Sequence, residues 1–511
     1  MNRTLHDKAR LTWRTRVTRV LLPVLIVGLA ASAASVAAAA ARPVSPEDRA
    51  RITAIENGLL PALVIKGRPL PTETLASRMR ATKTPGVSIA FFEDGRIRWT
   101  KAYGLADVAS GRPVTARTLF QAASVTKPVT AMAALRLVQE GRLSLDEDVD
   151  ARLRQWKVPT SPFTAERKVT VRGLLSHTSG LGVHGFDGYP SGAALPGVIE
   201  ILDGGPATNS PPVVSEATPG ERWSYSGGGY VVVQLLMTEA TGKAFPQLMR
   251  DLVLTPAHMT HSTYEQPLPH TLTGQAATGY LPDGQPLPGG RNIYPELGPA
   301  GLWTTPSDLA RFAISLQNAN AGTANVILNK ATAQAMLTSQ MNNFGLGLYL
   351  NPPGSPAGFE HAGNNSGFHA EMRAFATGHR QGVVIMTNGD GGRLLIPEIL
   401  RAVSQAYDWD VARPEVRNIV AVTPAELATL SGAYAIPGMT KLAVTAKGDR
   451  LYVSAPILGP EPLELLPQGR DRFFILSNGV TADFAREPGG AGVSVAISGP
   501  LGDFHARRAT R

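Results

Sequence analysis

The sequence predicts an α/β (α+β) domain, in which helices flank an antiparallel sheet, followed by a small antiparallel β module. Apolar β-rich runs lie within residues 86–100 and 344–387, and helix-forming segments separate them. That order is typical of a layered α/β domain. Beyond residue 424 the pattern changes to short alternating strands separated by turns. A chain of 511 residues also exceeds one ordinary domain.

The first 41 residues are predicted to be an export signal. An uncharged apolar run at residues 20–41 ends in small residues, which suits cleavage near residues 39–41. The run is also long enough for an uncleaved N-terminal membrane anchor, and in both cases the body of the protein faces the non-cytoplasmic side. The basic residues before the run are Arg3, Lys8, Arg10, Arg14, Arg16 and Arg19.

The charge outside this segment is modest. Six basic residues and one acid, Asp7, account for +5 of the formal net charge of +9 and leave +4 for the rest. We therefore expect no nucleic-acid partner. The chain has no cysteine, which excludes disulfides, thiolate nucleophiles, cysteine-based metal sites and lipoprotein acylation.

The larger of the two predicted domains spans residues 42–412. Residues 44–80 look helical, residues 86–92 and 97–100 form a hairpin, and apolar spacing predicts a helix over residues 125–141 that ends at a glycine. The Gly- and Pro-rich stretch 180–300 predicts loops around a helical core. Strands near Phe344 and at 368–375 and 383–387 then complete the sheet.

A linker at residues 413–424 and a β domain at residues 425–511 are predicted to follow. The pattern of short strands fits a barrel or a sandwich. Its predicted strands are residues 432–436, 442–446, 451–454, 464–466, 473–476 and 493–497.

Ser124-Val-Thr-Lys127 is the first candidate for chemistry. A spacing of three places both side chains on one helical face, so the Lys127 amine can reach the Ser124 hydroxyl. The helix N-terminus favours anionic charge developing there. A Ser-x-x-Lys motif occurs by chance about once in a chain of this length, so the motif alone is weak evidence for catalysis. The structural alternative is that Ser124 only caps the helix N-terminus.

Several motifs in a fixed order strengthen the catalytic interpretation. Together with Ser124 and Lys127, they make residues from about 70 to 400 resemble the serine β-lactamase-related, penicillin-binding-protein-like family. That family holds class C β-lactamases, D-alanyl-D-alanine carboxypeptidases, D-aminopeptidases and related esterases. The further motifs are LLSHTSGL at 174–181, PGERWSYS at 219–226, GPAGLWTTPSDL at 298–309 and HAG at 361–363.

The resemblance implies a β-lactamase/transpeptidase-like fold with an all-helical subdomain, and a lipocalin-like identity for the C-terminal barrel. It gives Tyr225 the role of general base or proton shuttle. Because a free tyrosine or lysine titrates at about pH 10, activating Ser124 near neutrality needs the pKa of the base to shift by about three units, or about 4 kcal/mol. Lys127 and Tyr225 would titrate as a coupled pair.

Two positions depart from the family pattern. Gly227 stands where Tyr-x-Asn has its asparagine, so a donor and acceptor for a substrate amide is missing. His361, in His361-Ala362-Gly363, replaces the lysine of Lys-Thr-Gly and is mostly neutral at pH 7. Both departures favour an ester or an atypical peptide over a classical β-lactam. The alternative for His361 is a structural strand residue.

The resemblance also implies an oxyanion hole made by the backbone N–H groups of Ser124 and Asn364. Gly227, Gly363 and Trp303 are the predicted substrate-binding positions. His177 is interpreted as part of a structural turn.

We expect no metal and no cofactor. His258 and His261 are three apart but have no third ligand placed beside them. The chain contains no G-x-S-x-G nucleophile elbow and no phosphate-binding glycine loop.

The expected function is an exported serine hydrolase that forms an acyl-enzyme on Ser124 and acts on a small ester or a D-amino-acid-containing peptide. The alternatives are a true β-lactamase or D,D-carboxypeptidase, and a catalytically silent binding or sensor protein with the same fold. The oligomeric state is left open.

Overall fold

The fold is described by a computed structural model that covers residues 44–324, 326–436, 441–455, 461–487, 490–499 and 502–509. The predicted export signal or anchor at residues 1–41 lies outside these ranges. Within them, no helix has both the length and the apolar character needed to cross a membrane.

Most helices lie, in chain order, between the two groups of strands that build the central sheet. The α-helices are α1 (Pro46–Asn57), α2 (Leu75–Ala81), α3 (Thr126–Gln139), α4 (Val171–Leu175), α5 (Val198–Asp203), α6 (Gly227–Thr241), α7 (Phe245–Met249), α8 (His270–Thr273), α9 (Leu297–Ala300), α10 (Pro306–Ala321), α11 (Lys330–Met336), α12 (Gly392–Ala406) and α13 (Pro424–Leu430). A π-helical turn follows α7 at Arg250–Leu254. The 3₁₀ turns are Ala123–Val125, Val149–Ala151, Pro162–Thr164 and Pro288–Gly290.

The strands before the barrel build one large sheet and several short pairs. They are β1 (Leu63–Ile65), β2 (Gly86–Glu93), β3 (Arg96–Asp107), β4 (Arg112–Pro113), β5 (Phe120–Gln121), β6 (Tyr189–Pro190), β7 (Asn292–Ile293), β8 (Trp303–Thr304), β9 (Tyr349–Leu350), β10 (Gly358–Asn365), β11 (Phe368–Phe375), β12 (Gly382–Thr387) and β13 (Glu415–Arg417).

The large sheet has seven antiparallel strands in the order β4-β3-β2-β12-β11-β10-β9. The pairing of β2 with β12 joins the two β regions that the sequence predicts, which confirms the expected α/β layering. Because helices cover both faces, β2 and β12 are buried along almost their whole length and are mostly apolar instead of alternating with polar residues.

The two faces of the sheet belong to different cores. Phe92 and Val384 pack with the buried helices α3, α6 and α10 on one side. Phe91 and Val383, one residue earlier in each strand, pack with α1 and α12 on the other side. This period of two is what the pleated backbone imposes.

The predicted helix over residues 44–80 is wrong in its middle. The chain forms α1 and α2 but inserts β1 between them. β1 pairs in parallel with β13, so Leu63 lies opposite Glu415. The predicted linker at 413–424 therefore contains a strand, β13, that pairs with the larger domain. The helix α13 begins at the last residue of the predicted linker.

The C-terminal strands form a closed eight-stranded barrel, not a sandwich. They are β14 (Gly432–Ala435), β15 (Lys441–Lys447), β16 (Arg450–Ser454), β17 (Leu463–Pro467), β18 (Arg472–Phe474), β19 (Thr481–Arg486), β20 (Gly492–Gly499) and β21 (Gly502–Arg508). The sequence predicts six of them and misses β19 and β21. Tyr434, Phe473 and Phe484 pack together inside, and Leu427 and Leu430 of α13 join the same core.

The barrel contacts the preceding domain through β1 and β13. Leu63 and Ile65 pack against Leu466 and Phe474 of the barrel. The guanidinium carbon of Arg417 lies 5.0 Å from the centre of the Phe474 ring. This contact explains why β1 carries the apolar residues Leu63 and Ile65 on the side that faces the barrel.

Candidate active site

Ser124 lies on a tight turn between β5 and α3. Ala123, the residue before it, has a φ of 49°, which is uncommon for a residue with a side chain and is found where a turn is held by its surroundings. Ser124 itself is half-buried. Its Oγ lies 2.9 Å from Nζ of Lys127, one helical turn later. The spacing of three therefore produces the contact expected from it.

Lys127 is 2% exposed, and its Nζ also donates to the carbonyl oxygen of Pro299 at 3.2 Å. Burial lowers the pKa of this amine to about 7, because the charged form loses its hydration. A large fraction of Lys127 is thus neutral near pH 7 and able to accept the Ser124 proton.

Tyr225 lies just before α6, whose N-cap is Ser226. The Lys127 Nζ is 4.9 Å from the centre of the Tyr225 ring. Burial raises the pKa of the Tyr225 phenol, and its interaction with the Ser124 side chain opposes part of that rise. Ser124, Lys127 and Tyr225 thus come together, with the phenol in its protonated form.

His177 supports Tyr225 from behind. It is fully buried with a φ of 59°, which agrees with the predicted turn. Its Nδ1 accepts a hydrogen bond from the backbone N–H of Ser226 at 3.1 Å, and its ring centre lies 4.2 Å from that of Tyr225. The family resemblance identified the motif that contains His177 but gave no contact between His177 and Tyr225, so the sequence did not predict this packing role.

His361 lies on β10 and packs beside Tyr225. Its ring centre is 6.3 Å from that of Tyr225. Nδ1 lies 2.7 Å from the Ala362 carbonyl, an acceptor, so the proton lies on Nδ1 and Nε2 carries a lone pair. Burial and the nearby Lys127 lower the pKa of His361 to about 3. A neutral imidazole therefore stands where a fixed cation would bind a carboxylate.

Strand β10 approaches the nucleophile at Gly363. A Cβ at this position would overlap the carbonyl oxygen of Ala122, so only glycine allows the strand to lie this close. Asn364 follows directly and pairs with His369 on β11. The arrangement places the backbone of residue 364 beside the turn that carries Ser124, where the second oxyanion donor is predicted.

Comparison with known proteins gives this fold and site a family. Residues 72–406, more than half of the chain, match the family described as Beta-lactamase. The chain belongs to the β-lactamase family. It is therefore a serine hydrolase of that family, related to penicillin-binding proteins and esterases.

Two curated relatives of this β-lactamase-family chain illustrate its range. Penicillin-binding protein 4* of Bacillus subtilis (strain 168) is 26% identical over 77% of this chain and 88% of that protein. Esterase EstB of Burkholderia gladioli is 31% identical over 48% of this chain and 68% of that protein.

Solved structures show the same fold. The octameric penicillin-binding protein homologue from Pyrococcus abyssi superposes with a TM-score of 0.56 at 22% identity and covers 84% of this chain and 98% of that one. D-alanine carboxypeptidase AmpC from Burkholderia cenocepacia gives a TM-score of 0.50 at 21% identity, covering 65% and 96%.

Gly227 is the first residue of α6 and departs from the β-lactamase-family pattern for a steric reason. A Cβ here would lie 2.9 Å from Cε2 of Phe186 and 3.1 Å from the carbonyl oxygen of His184. The loop that carries these residues fills the space beside position 227. A side chain here therefore needs the Phe186 ring to shift and the His184 carbonyl to give way by a few tenths of an ångström.

Trp303 is placed differently from its predicted substrate-binding role. Its side chain is fully buried and packs edge-on against Phe368, with ring centres 5.6 Å apart. Trp303 pairs with Gln121 across β5 and β8. It supports the segment before Ser124 from the interior and does not face solvent, so it has no surface to offer a substrate.

An aromatic wall, made of His184, Phe186, Trp223 and Tyr349, borders the site and was missed from the sequence. Tyr349 and Trp223 are half-buried, with ring centres 6.1 Å apart. Tyr349 also lies 5.5 Å from His361, and His184 lies 4.8 Å from Tyr225. These residues come from three separate segments, so no local pattern joins them.

Within the ranges that the structure describes, no group of three or more His, Cys, Asp or Glu side chains is placed to hold a metal ion. His258 has a φ of 56° in the turn after the π-helix, so it does not share a helical face with His261.

Proposed function

We propose that this chain is an exported serine hydrolase that cleaves a small ester, or a peptide containing a D-amino acid, through an acyl-enzyme on Ser124. The observation that carries the proposal is the contact of 2.9 Å between the Ser124 hydroxyl and the buried amine of Lys127, whose pKa burial lowers to about 7. A neutral amine at that distance can take the hydroxyl proton as the carbonyl is attacked.

The steps follow from the protonation states. Lys127 accepts the proton of Ser124, and the oxyanion forms between the backbone N–H groups of residues 124 and 364. Tyr225, a protonated phenol beside Ser124, can pass a proton to the leaving group. A water molecule then attacks the acyl-enzyme, and the proton movements reverse.

The polarity of the site favours an uncharged substrate. The neutral His361 supplies no cation for a carboxylate, and Gly227 supplies no amide for a peptide or acylamino group. The aromatic wall instead offers apolar surface beside the nucleophile. An ester with a short aliphatic or aromatic acyl group fits these features better than a β-lactam. The named relatives include an esterase and a penicillin-binding protein, which keeps both substrate classes in view.

Export rests on residues 1–41 alone. N-terminal sequencing of the protein secreted by its host should find a mature start near residues 40–42. A membrane-bound full-length chain would indicate the anchor instead.

The activity is tested by labelling with a fluorophosphonate probe and by hydrolysis of p-nitrophenyl acetate and butyrate, nitrocefin and D-Ala-D-Ala peptides. We expect labelling, rapid ester cleavage and slow turnover of nitrocefin. Ser124→Ala should lose labelling and at least about 10⁴-fold of the ester activity, because it removes the nucleophile.

An absence of labelling in the folded wild-type protein would contradict the proposal and favour a silent binding protein. Preferential cleavage of the D-Ala-D-Ala peptides would assign the peptidase class and reject the ester.

A further inference from the structure

Two series of side-chain hydrogen bonds hold β10 at residues 364–365. The outer chain of hydrogen bonds starts at Asn364 on one face of the sheet, and the inner chain starts at Asn365 on the other face. Neither chain touches the nucleophile, Lys127 or Tyr225 in the structure. Both end at the strand segment that carries the predicted second oxyanion donor, so they bear on the geometry of that donor.

The outer chain runs through His369. Its Nδ1 lies 2.6 Å from Oδ1 of Asn364, and its Nε2 lies 3.2 Å from Oδ1 of Asp390. The same Asp390 oxygen accepts the backbone N–H of Gly367 at 2.8 Å. Asn364 and His369 are cross-strand partners, so their side chains meet on one face of the sheet.

His369 is 1% exposed, whereas the Asn364 side chain is exposed. Burial opposes ionisation of Asp390, but hydrogen bonds from His369 and Gly367 outweigh it and keep its pKa below the usual value. An ionised carboxylate thus anchors a buried imidazole, and the imidazole holds a side chain that would otherwise move freely in solvent.

The inner chain fixes the neighbouring residue. Nδ2 of Asn365 donates to Oε1 of Gln121 at 2.9 Å, and Nε2 of Gln121 donates to the carbonyl oxygen of Asn292 at 2.7 Å. Gln121 is fully buried and lies three residues before Ser124. This chain therefore links β10 directly to the segment that presents the nucleophile.

Between the two chains, the backbone of residue 364 has little freedom. Gly363 already lies against the carbonyl of Ala122. An oxyanion hole requires its two N–H donors to be fixed before the charge develops, because reorganisation during the reaction would cost part of the stabilisation.

We propose that His369, anchored by Asp390, is a positioning residue that holds Asn364 so that the backbone N–H of residue 364 faces the oxyanion formed on Ser124. This inference rests on the proposed function. His369 acts through Asn364, and its loss should lower kcat with little change in KM, because the oxyanion exists only in the transition state and the intermediate.

The test is a double-mutant cycle on p-nitrophenyl butyrate hydrolysis with His369→Ala, Asn364→Ala and the double variant. We expect each single variant to lose about 10- to 100-fold in kcat, less than the loss of a whole oxyanion donor, with KM within about twofold. The double variant should be no slower than the slower single variant. Additive losses would overturn the proposal, because His369 would then act independently of Asn364.

A phenylboronic acid inhibitor supplies a readout that a general loss of stability would not move. Its tetrahedral adduct with Ser124 places an oxygen in the oxyanion hole, so its affinity should fall in parallel with kcat. Unchanged boronate affinity in His369→Ala would contradict the positioning role.

Tyr407→Phe is the matched control. The Tyr407 hydroxyl accepts a hydrogen bond of 2.7 Å from Trp99 Nε1. This pair lies on the same side of the sheet as His369 but away from β10. We expect Tyr407→Phe to leave kcat unchanged, and an equal loss would overturn the proposal. If His369→Ala does not fold, Asp390→Asn gives a milder break in the same chain and should lower kcat by about two- to tenfold. Normal kcat in Asp390→Asn would then contradict the proposal.

The outcome is separable from that for the proposed function. If wild-type protein neither reacts with a fluorophosphonate nor cleaves esters, the hydrolase proposal fails. If wild type is active and His369→Ala keeps its kcat, only the positioning role fails.

Discussion

The active site and the described part of the barrel differ in whether their buried polar side-chain atoms have hydrogen-bond partners. At the site, Nε2 of His177, Nε2 of His361 and Nε1 of Trp223 are buried without a hydrogen-bond partner. In the described part of the barrel, residues 432–508, every buried side-chain nitrogen and oxygen has one. The Tyr434 hydroxyl, for example, donates to the carbonyl oxygen of Leu430 at 2.8 Å.

The same contrast holds for charge. Burial of Lys127 lowers its pKa to about 7, so the site keeps an amine in a form that water would not favour. In the barrel, exposed charged side chains form pairs such as Arg472 with Asp483, at 2.8 Å. A site of this kind trades stability for reactivity, whereas the hydrogen-bonded polar groups and surface ion pairs of the barrel carry no such cost.

Among the variants that compare the two regions, Lys127→Met, a change confined to the active site, has the largest expected effect on activity. Lys127→Met should lower kcat for ester hydrolysis at least about 10³-fold, because the base is lost, while the midpoint of thermal unfolding stays equal or rises. An apolar chain of similar length removes the desolvation cost of the amine. Steady-state kinetics and thermal unfolding measure the two quantities.

Lys330→Met serves as the control for the lysine variant, since Lys330 is an exposed residue at the start of α11. It should change neither quantity. A Lys127→Met protein that is active but less stable would reverse the proposed contrast.

Phe473→Ala tests the barrel in the opposite sense. Phe473 is fully buried against Phe484, with ring centres 5.6 Å apart. Its truncation should lower the free energy of unfolding of the barrel by about 3–5 kcal/mol. The kcat of the folded enzyme should stay unchanged, as seen by parallel urea unfolding and ester assays. Phe163→Ala, the same change at an exposed side chain, should cost little. A fall in kcat would show that the barrel shapes the site.

The pH dependence sharpens the comparison at a smaller scale. Because the neutral amine of Lys127 is the active form and burial brings its pKa to about 7, kcat/KM should fall about tenfold for each pH unit below 7. An unfolded lysine holds its proton up to about pH 10.4, so unfolding takes up a proton between pH 7 and that value. The contribution of Lys127 to stability therefore rises with pH across this window, and Lys127→Met should abolish it.

A kcat/KM profile that rises only near pH 10 would contradict the assignment of Lys127 as the base. His361, with a pKa lowered to about 3, should add no inflection between pH 5 and 9.

Local pattern was sufficient for the elements that carry their own signal. The apolar spacing of residues 125–141 predicts α3, and the glycine turn predicts the β2–β3 hairpin. β1 has only three residues, Leu63–Ile65, in an apolar run, and it is a strand because β13 pairs with it 352 residues later. β19 and β21 carry charged and small residues at their outward positions, which hides their alternation.

The site divides in the same way. Ser124 and Lys127 are one helical turn apart, so their contact follows from spacing, and Tyr225 was available through family motifs. His369 and Gln121 bear on the oxyanion strand only through cross-strand register and side-chain contacts, which no single segment encodes. The burial of Trp303 likewise depends on Phe368, 65 residues away along the chain.

The parallel pairing of Leu63–Ile65 with Glu415–Arg417 sets a limit on how this protein can be shortened. A cut at residue 412, just after α12, would remove the partner of β1 and the barrel surface that covers Leu63 and Ile65. The shortened enzyme would present an uncapped, apolar strand edge to other copies of itself and would aggregate. A cut after residue 417 keeps the strand partner but still uncovers the two apolar side chains, so a soluble minimal hydrolase would also need polar replacements at positions 63 and 65.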